Sequence, residues 1–263
     1  MAKTGKAALR MPVVFAGHGS PMNAIEDNAF SRAWSGLGAG LPRPKAILCI
    51  SAHWQTTGTW VTTMPNPKMI YDFLGFPAEL YQVLYPAPGA PEWAQVTRKT
   101  IQSARVGLDT EWGLDHGAWS VLCRMFPQAD VPVFQLSLDQ TQPPFYHYAL
   151  GRELAPLRDQ GVLIVGSGNV VHNLGLTQWE DTAFDWAVEF DRTIKTLIEK
   201  HDHAALIDYG SLGKTAELAI PTNEHYLPLL YTLALQDKDE PVRFFAEQVT
   251  LGSISMRGMV VGG

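Results

Sequence analysis

Short, unbroken runs of apolar and β-branched residues recur along the first two thirds of the chain. They are PVVFAG from Pro12, AILCIS from Ala46, VPVFQLSL from Val131 and GVLIVGSG from Gly161. Runs of this length without alternating polar residues are typical of strands that are buried on both faces, as in parallel sheets. The pattern therefore predicts a central sheet made mostly of parallel strands.

Segments with the apolar spacing of helices alternate with these runs. The clearest apolar stripe consists of Ala183, Ala187, Phe190, Ile194 and Leu197, which would share one face of a helix. Further helical patterns are PEWAQVTRKTIQSA, AWSVLCRMF, FYHYALGRELAPL and YLPLLYTLAL. The alternation of strands and helices predicts an α/β fold in which helices flank the sheet on both faces.

The end of the chain has a different pattern. The runs PVRFFAEQV and SISMRGMVV are separated by TLG around Gly252, which predicts a C-terminal antiparallel β-hairpin and hence a mixed sheet. No repeat or linker-like composition interrupts the chain, so we expect a single domain over residues 1–263. A long segment from Pro65 to Pro91 is rich in Pro, Gly and aromatic residues, and such loops usually carry function.

Composition and charge limit the partners and the compartment. The net charge of −6 and the absence of basic clusters argue against binding to nucleic acid or anionic membranes. The two cysteines, Cys49 and Cys123, lie in apolar segments and are expected to be buried free thiols in a reducing compartment. The start MAKTGKAALRMPVVFAGHG lacks the apolar segment of a signal peptide, and no apolar run is long enough for a transmembrane helix. We therefore expect a cytoplasmic protein.

Four of the eight histidines border apolar segments at small or turn-forming residues. His18 follows VVFAG, His53 follows LCISA, His172 follows LIVGSGNVV, and His225 precedes the apolar helix pattern YLPLL. Ligands of α/β sheets collect at the carboxyl ends of the strands, and neutral imidazole is a common ligand of zinc and iron. A single histidine at such a position is more often structural, but four in matching contexts predict a shared metal site. Because no local motif such as HExxH is present, the pattern alone leaves the reaction open.

The other histidines give weaker signals. His116 lies in GLDHGAW at the start of a predicted helix, where it is either a neighbour of the helix cap or a catalytic and substrate-contacting residue. His147 is predicted to be a partly buried surface residue of a helix. His201 and His203 have the spacing of a metal-binding pair, but their charged neighbours favour a solvated turn.

Longer motifs around these histidines resemble the 4,5-DOPA extradiol dioxygenase family, which belongs to the class III, LigB-type ring-opening dioxygenases. The similar stretches are GHGSPMNAIEDN, PKAILCISAHW, IYDFLGFPAELYQVLYPAPG, GLDHGAWSVL, GSGNVVHNL and EHYLPLLY. They extend from near the N-terminus into the last third of the chain. The resemblance implies a metal-dependent oxidoreductase that opens the ring of a small, DOPA-like catechol with O2.

The resemblance also implies a ligand set. It places the metal on His18, His53 and His225, with His172 either a fourth ligand or an acid–base residue beside the metal. Iron(II) is the implied working metal, and zinc often occupies such sites in purified members. Better-known LigB-type enzymes use two histidines and a glutamate. Glu224 therefore competes with His225 for the position that faces the metal, and similarity to the DOPA branch favours His225.

Further roles follow from the same resemblance. Chelation by a metal lowers the pKa of one catechol hydroxyl. His172 would then accept the proton of the second hydroxyl and return it later, because an imidazole pKa of about 6.5 suits both steps. His116 would donate a hydrogen bond to oxygen or substrate. Tyr71, Phe73 and Phe76 would form the wall against which the ring packs.

Two other functional classes stay open at this point. A zinc-dependent hydrolase could use the same histidines to activate water without redox chemistry. A non-catalytic binding protein that resembles Memo is the second alternative. The complete set of histidines and the aromatic loop argue against the non-catalytic class.

Overall fold

The computed structural model of the chain describes residues 10–263 as an alternation of strands and helices. The expectation that no signal peptide is present falls largely on residues 1–9, which lie outside the described residues. The strands are β1 (Val13–Gly17), β2 (Ala46–Ser51), β3 (Gln55–Thr56), β4 (Thr59–Thr62), β5 (Val106–Asp109), β6 (Val133–Gln135), β7 (Leu138–Asp139), β8 (Val162–Gly168), β9 (Val242–Phe245), β10 (Val249–Thr250), β11 (Ile254–Ser255) and β12 (Gly258–Val261). The α-helices are α1 (Ala29–Gly40), α2 (Pro91–Thr100), α3 (His116–Met125), α4 (Pro144–Glu153), α5 (Ala155–Asp159), α6 (Asp185–Glu199), α7 (His203–Ile207), α8 (Lys214–Ala219) and α9 (Leu227–Ala234).

Six strands form the central sheet in the order β6-β2-β8-β1-β12-β9. The first four are parallel to one another, β12 is antiparallel to β1, and β9 is antiparallel to β12. The predicted mixed, mostly parallel sheet and its C-terminal antiparallel strands are confirmed. The hairpin extends beyond the central sheet, because β10 and β11 form a separate antiparallel ladder between β9 and β12. A single domain over residues 1–263 stays a prediction, since the first nine residues are not described.

Alternate residues of the central strands belong to two separate cores. Val13 and Phe15 of β1 pack into the core that α4, α6 and α9 cover. Val14 and Ala16 of the same strand pack into the core that α1 and α3 cover. Both faces of the strands are therefore buried, which explains why their sequences are continuously apolar rather than alternating. In residues 10–263, none of the helices combines the length and the apolar character that crossing a membrane requires.

Two predicted elements are divided in the structure. The run VPVFQLSL forms β6 and β7, because the chain leaves β2 after Gln135 and then pairs with β3. The pattern FYHYALGRELAPL forms α4 and α5, with Pro156, which has no N–H, in the first turn of α5. Ala183 was expected on the stripe of α6 but precedes that helix, where it forms a bridge with Gly252.

Two predictions about single side chains have different outcomes. Cys49 and Cys123 are both free thiols as expected, although Cys123 is only partly buried. The surface position expected for His147 is wrong, since its side chain is fully buried. Its Nδ1 lies 3.1 Å from the hydroxyl of Tyr231, because α4 packs that face against α9.

The topology brings the carboxyl ends of three strands side by side. At the ends of their ladders, Ser51 of β2 pairs with Ser167 of β8, and Gly17 of β1 pairs with Gly168 of β8. The segments that follow β1, β2 and β8 therefore leave the same edge of the sheet. This is the edge at which open α/β sheets bind their ligands.

Helix α1 offers a matched pair of glycines that tests its packing against α3. A Cβ on Gly38 would lie 2.0 Å from the carbonyl oxygen of Met125, whereas a Cβ on Gly36 would meet no atom within 4 Å. We expect Gly36→Ala to raise the free energy of unfolding by about 0.5–1 kcal/mol, because alanine loses less backbone entropy in a helix. Gly38→Ala should lower it by about 1–3 kcal/mol, because the backbones must separate. Urea unfolding measures both, and equal effects would contradict the close approach of the two helices.

Candidate active site

Five of the predicted site histidines line one cavity of about 410 Å³ at the carboxyl edge of the sheet, here named the inner cavity. They are His18, His53, His116, His172 and His225. His18 directly follows β1, His53 lies two residues after β2, and His225 precedes α9. The remaining described histidines, His147, His201 and His203, do not line this cavity.

Three of these imidazoles converge. His18, His53 and His225 each offer a ring nitrogen, and the three nitrogens lie within 4.8 Å of one another. The Nε2 atoms of His18 and His53 are 3.2 Å apart. The three-histidine group that the sequence predicts is thus brought together by segments that are far apart in the chain.

A glycine at the end of β8 allows His225 to reach this group. A Cβ on Gly168 would lie 2.1 Å from the carbonyl oxygen of His225. The same oxygen accepts a hydrogen bond of 2.8 Å from the N–H of Asn169. Only glycine permits this approach of two backbones, which sets the ring of His225 5.2 Å from that of His18 between centroids.

The hydrogen bonds around His18 define its tautomer. Nδ1 of His18 lies 2.9 Å from Oγ of Ser167. That hydroxyl donates its only hydrogen to the carbonyl oxygen of Gly117 at 2.6 Å, so it accepts from the Nδ1–H of His18. The lone pair of His18 is therefore on Nε2, on the side of the other imidazoles.

Carboxylates give the other two imidazoles the same orientation. Nδ1 of His225 donates to Oε1 of Glu224 at 3.2 Å. Nδ1 of His53 lies 3.1 Å from Oδ2 of Asp72. His225 thus presents the lone pair of Nε2 to the group, and Nε2 of His53 faces Nε2 of His18. Glu224 holds His225 from behind and does not itself line the inner cavity.

The donor set fits a divalent metal ion. Nε2 of His225 is buried and has no hydrogen-bond partner. The facing Nε2 lone pairs of His18 and His53 repel each other at 3.2 Å unless a proton or cation lies between them. Two nitrogens bonded at about 2.0–2.1 Å to one tetrahedral zinc ion are about 3.3 Å apart, which is close to this separation. Imidazole donors suit zinc and iron alike.

Asp72 is a site residue that the sequence analysis did not single out. Its Oδ1 accepts the backbone N–H of His116 at 2.9 Å and lies 2.9 Å from Nδ1 of the same residue. Its Oδ2 contacts Nδ1 of His53, so one carboxylate serves two imidazoles. Burial acts to raise the pKa of Asp72, but its contacts with both imidazoles hold that pKa far below its usual range. The only sequence signal is a single acid between two aromatic residues in IYDFLGFP.

Burial sets the protonation of most of the cluster. It lowers the pKa of His18 and of His225 well below 6.5, and the neighbouring imidazoles lower both further. Burial also lowers the pKa of His172 to about 4. For His53, burial acts in the same direction, but the surrounding carboxylates, Asp72 first, raise its pKa overall. His18, His172 and His225 are therefore neutral at physiological pH.

His172 lies beside the three-histidine group rather than within it. Its ring stacks on that of His225, with centroids 3.4 Å apart and planes 7° apart. Its backbone is held by a hydrogen bond from its N–H to the carbonyl oxygen of Ala219 and by a bridge to Ile254. His172 lines the inner cavity from this position.

The predicted aromatic wall is formed by two of its three residues. Phe73 and Phe76 line the inner cavity, and Phe73 packs edge-on against His116 with centroids 5.5 Å apart. Tyr71 does not line it, because its hydroxyl donates to the carbonyl oxygen of Val83 at 2.6 Å. Its ring lies behind that of Phe73, with centroids 6.2 Å apart.

Comparison with known proteins defines the family. The family model described as the catalytic LigB subunit of aromatic ring-opening dioxygenase matches residues 12–262. A protein of Escherichia coli K12 named 4,5-DOPA dioxygenase extradiol is 46% identical over 97% of this chain and 96% of its own length. A protein of Beta vulgaris with the same name is 41% identical over 82% of this chain and 83% of its own. The crystal structure of an uncharacterized protein from E. coli K12 matches with a TM-score of 0.84 and 43% identity, over 96% of this chain and 100% of that one.

The chain therefore belongs to the LigB family of aromatic ring-opening dioxygenases. It is an extradiol ring-cleaving dioxygenase that depends on a metal, and the reaction class implies a catechol-like substrate and O2. The family and reaction class expected from the sequence are confirmed. Neither the zinc hydrolase nor the non-catalytic binding protein is favoured by these relatives.

The substitution Asp72→Asn tests the carboxylate that contacts two imidazoles. Loss of the charge leaves Nδ1 of His53 without its anionic partner, and such changes behind a ligand typically weaken metal binding by about 10–100-fold. Calorimetric titration of zinc into the metal-free protein measures the change. Asp239→Asn, in an exposed loop, is the matched control. Equal zinc affinities of the two variants would show that Asp72 does not support the site.

Proposed function

We propose that this chain opens the ring of a DOPA-like catechol at an iron(II) ion held by His18, His53 and His225. The observation that carries the proposal is the convergence of one ring nitrogen from each of three imidazoles beside a cavity lined by two phenylalanines, with Nε2 of His225 buried without a partner. The names of the E. coli and Beta vulgaris relatives support a DOPA-like substrate.

The choice of iron(II) follows from the reaction rather than from the donor set. Three imidazoles bind zinc or iron, but zinc has no redox chemistry. A bound iron(II) ion would supply both Lewis acidity toward the catechol oxygens and the electron transfer that a reaction with O2 requires. His225, and not Glu224, is the third ligand in this proposal, because Glu224 is engaged by Nδ1 of His225.

His172 is the acid–base residue in this proposal. Burial keeps its imidazole neutral at physiological pH, so it has a free lone pair for a proton. Stacking on His225 holds it beside the ligands, where it can accept the proton of a catechol hydroxyl and later return it. His172 is outside the three-histidine group but forms a second group of possible ligands with Glu224 and His225, so metal analysis of a His172 variant distinguishes the two roles.

His116 and the two phenylalanines orient the substrate. Asp72 accepts the backbone N–H of His116 and lies 2.9 Å from its Nδ1, and Nε2 of His116 is the ring nitrogen left to contact a substrate hydroxyl or oxygen. Phe73 and Phe76 pack against the catechol ring and exclude water from the histidines. Tyr71 supports Phe73 from behind.

Reconstitution with iron tests the proposed reaction. Metal-free protein receives one equivalent of iron(II) without air, then L-DOPA, and finally air. We expect one O2 consumed per L-DOPA and a yellow muconate semialdehyde product. The same protein loaded with zinc should consume no O2. Failure of the iron-loaded protein to consume O2 with L-DOPA or any simple catechol would contradict the proposal.

The substitution His172→Gln separates acid–base catalysis from metal binding. Glutamine removes the proton acceptor but leaves the three-histidine group intact, so we expect unchanged iron content. The value of kcat/KM should fall by about 10²–10⁴-fold, as for loss of a general base. Steady-state O2 uptake and metal analysis provide both readouts, and His201→Gln, outside the inner cavity, is the control. Full turnover of His172→Gln would exclude its proton role, whereas loss of iron would make it a ligand.

A further inference from the structure

A second cavity of about 460 Å³, here named the outer cavity, adjoins the inner cavity. The two cavities share the side chains of five residues: Ser20, Leu74, Phe76, Trp179 and Leu251. A substituent on a ring bound beside the histidines would pass these shared residues and enter the outer cavity. The outer cavity is therefore placed to contact the part of the substrate that distinguishes one catechol from another.

Large apolar side chains are exposed around the passage between the cavities. Leu74 is 91% exposed and Trp179 is 75% exposed, and both line both cavities. Leu174, which lines the inner cavity, is 67% exposed. Exposed apolar side chains that are scattered singly over a surface are ordinary. Exposed apolar side chains that are grouped beside a cavity indicate a binding surface.

Apart from the histidines of the inner cavity, the ionisable side chains that line the two cavities are carboxylates. Among residues 10–263, no lysine or arginine lines either cavity. Asp72 in the inner cavity lies beside two imidazoles, whereas Glu26 in the outer cavity is exposed, and within residues 10–263 its carboxylate accepts a hydrogen bond only from the amide of Asn28. The guanidinium of Arg124 bonds to the backbone carbonyls of Asn23 and Glu26 and lines neither cavity.

We propose that the outer cavity binds the ring substituent and selects an ammonium group over a carboxylate. The preferred substrate class is then a catechol with an aminoalkyl substituent. An ammonium group can pair with the carboxylate of Glu26 and lie on the indole face of Trp179. A carboxylate in the same place would lose hydration, meet Glu26 and find no lining cation. The inference rests on the proposed function for ring cleavage, but the binding preference can be measured without turnover.

The net charge of the chain also favours cationic catechols over anionic ones. Its net charge is −6, so the field around the cavity mouth favours the approach of cations over anions. L-DOPA carries both an ammonium and a carboxylate group, and we expect its affinity to lie between those of a cationic and an anionic catechol.

Binding to zinc-loaded protein tests the preference, because zinc supports no turnover. The probes are dopamine, 3,4-dihydroxyphenylpropionate and the uncharged 4-methylcatechol. We expect dopamine to bind about tenfold more tightly than the propionate in calorimetric titrations at low salt. Glu26→Gln should remove most of this preference without changing the affinity for 4-methylcatechol, and Trp179→Ala should weaken dopamine binding. Glu92→Gln, at an exposed position of α2, is the matched control.

The outcomes separate this inference from the proposed function. Equal affinity for dopamine and the propionate would overturn the inference. It would also be overturned if Glu26→Gln weakened the binding of dopamine and of 4-methylcatechol equally. O2 uptake by iron-loaded protein with the same three catechols measures ring cleavage independently. If no catechol is cleaved but zinc-loaded protein prefers dopamine, the proposed function fails and the selection of ammonium stands.

Discussion

The site depends on a fold that holds three imidazoles with one ring nitrogen of each within 4.8 Å of the other two, where neutral nitrogen lone pairs repel each other. Burial keeps His18 and His225 neutral, so among the three imidazoles only His53, whose pKa the carboxylates raise, is suited to carry a proton. The arrangement persists because each Nδ1–H has a partner on the opposite side of its ring. Those partners are Ser167 for His18, Asp72 for His53 and Glu224 for His225. A cation among the Nε2 atoms would convert the repulsion into three bonds, and the fold holds the donors ready for it.

The parallel sheet makes such a cluster possible. The strands β1, β2 and β8 are neighbours and end at one edge of the sheet. Their backbones are held by hydrogen bonds between the strands, and a hydrophobic core covers each face of the sheet. A ligand that follows directly after a strand inherits that rigidity, whereas a ligand on a free loop would have to be ordered by the metal itself. His225 comes from another part of the chain, and the missing side chain of Gly168 lets its backbone contact β8.

The difference between local patterns and contacts among distant segments explains which features could be predicted from the sequence. The strands, most helices and the site histidines have local signals, because apolar periodicity and turn-forming neighbours are visible within about ten residues. The roles of Asp72 and Ser167 have no such signal, since they depend on contacts with imidazoles far away in the chain. Tyr71 and Phe73 illustrate the same limit: they are two residues apart with similar rings, yet only Phe73 lines the inner cavity. His147 was placed at the surface because the face of α4 that meets α9 cannot be deduced from α4 alone.

Charge balance connects the proposed metal ligands to His172, the proposed acid–base residue. Asp72 and Glu224 contribute two carboxylates beside the imidazoles, and a divalent cation would cancel their negative charges. A catechol that loses one proton to His172 then changes no net charge inside the site, because the anion and the imidazolium arise together. A proton lost to bulk water would instead leave an uncompensated negative charge in a region of low dielectric constant. In this proposal, attraction between the catecholate and the imidazolium offsets the cost of burying that cation, which is the cost that lowers the pKa of His172 to about 4.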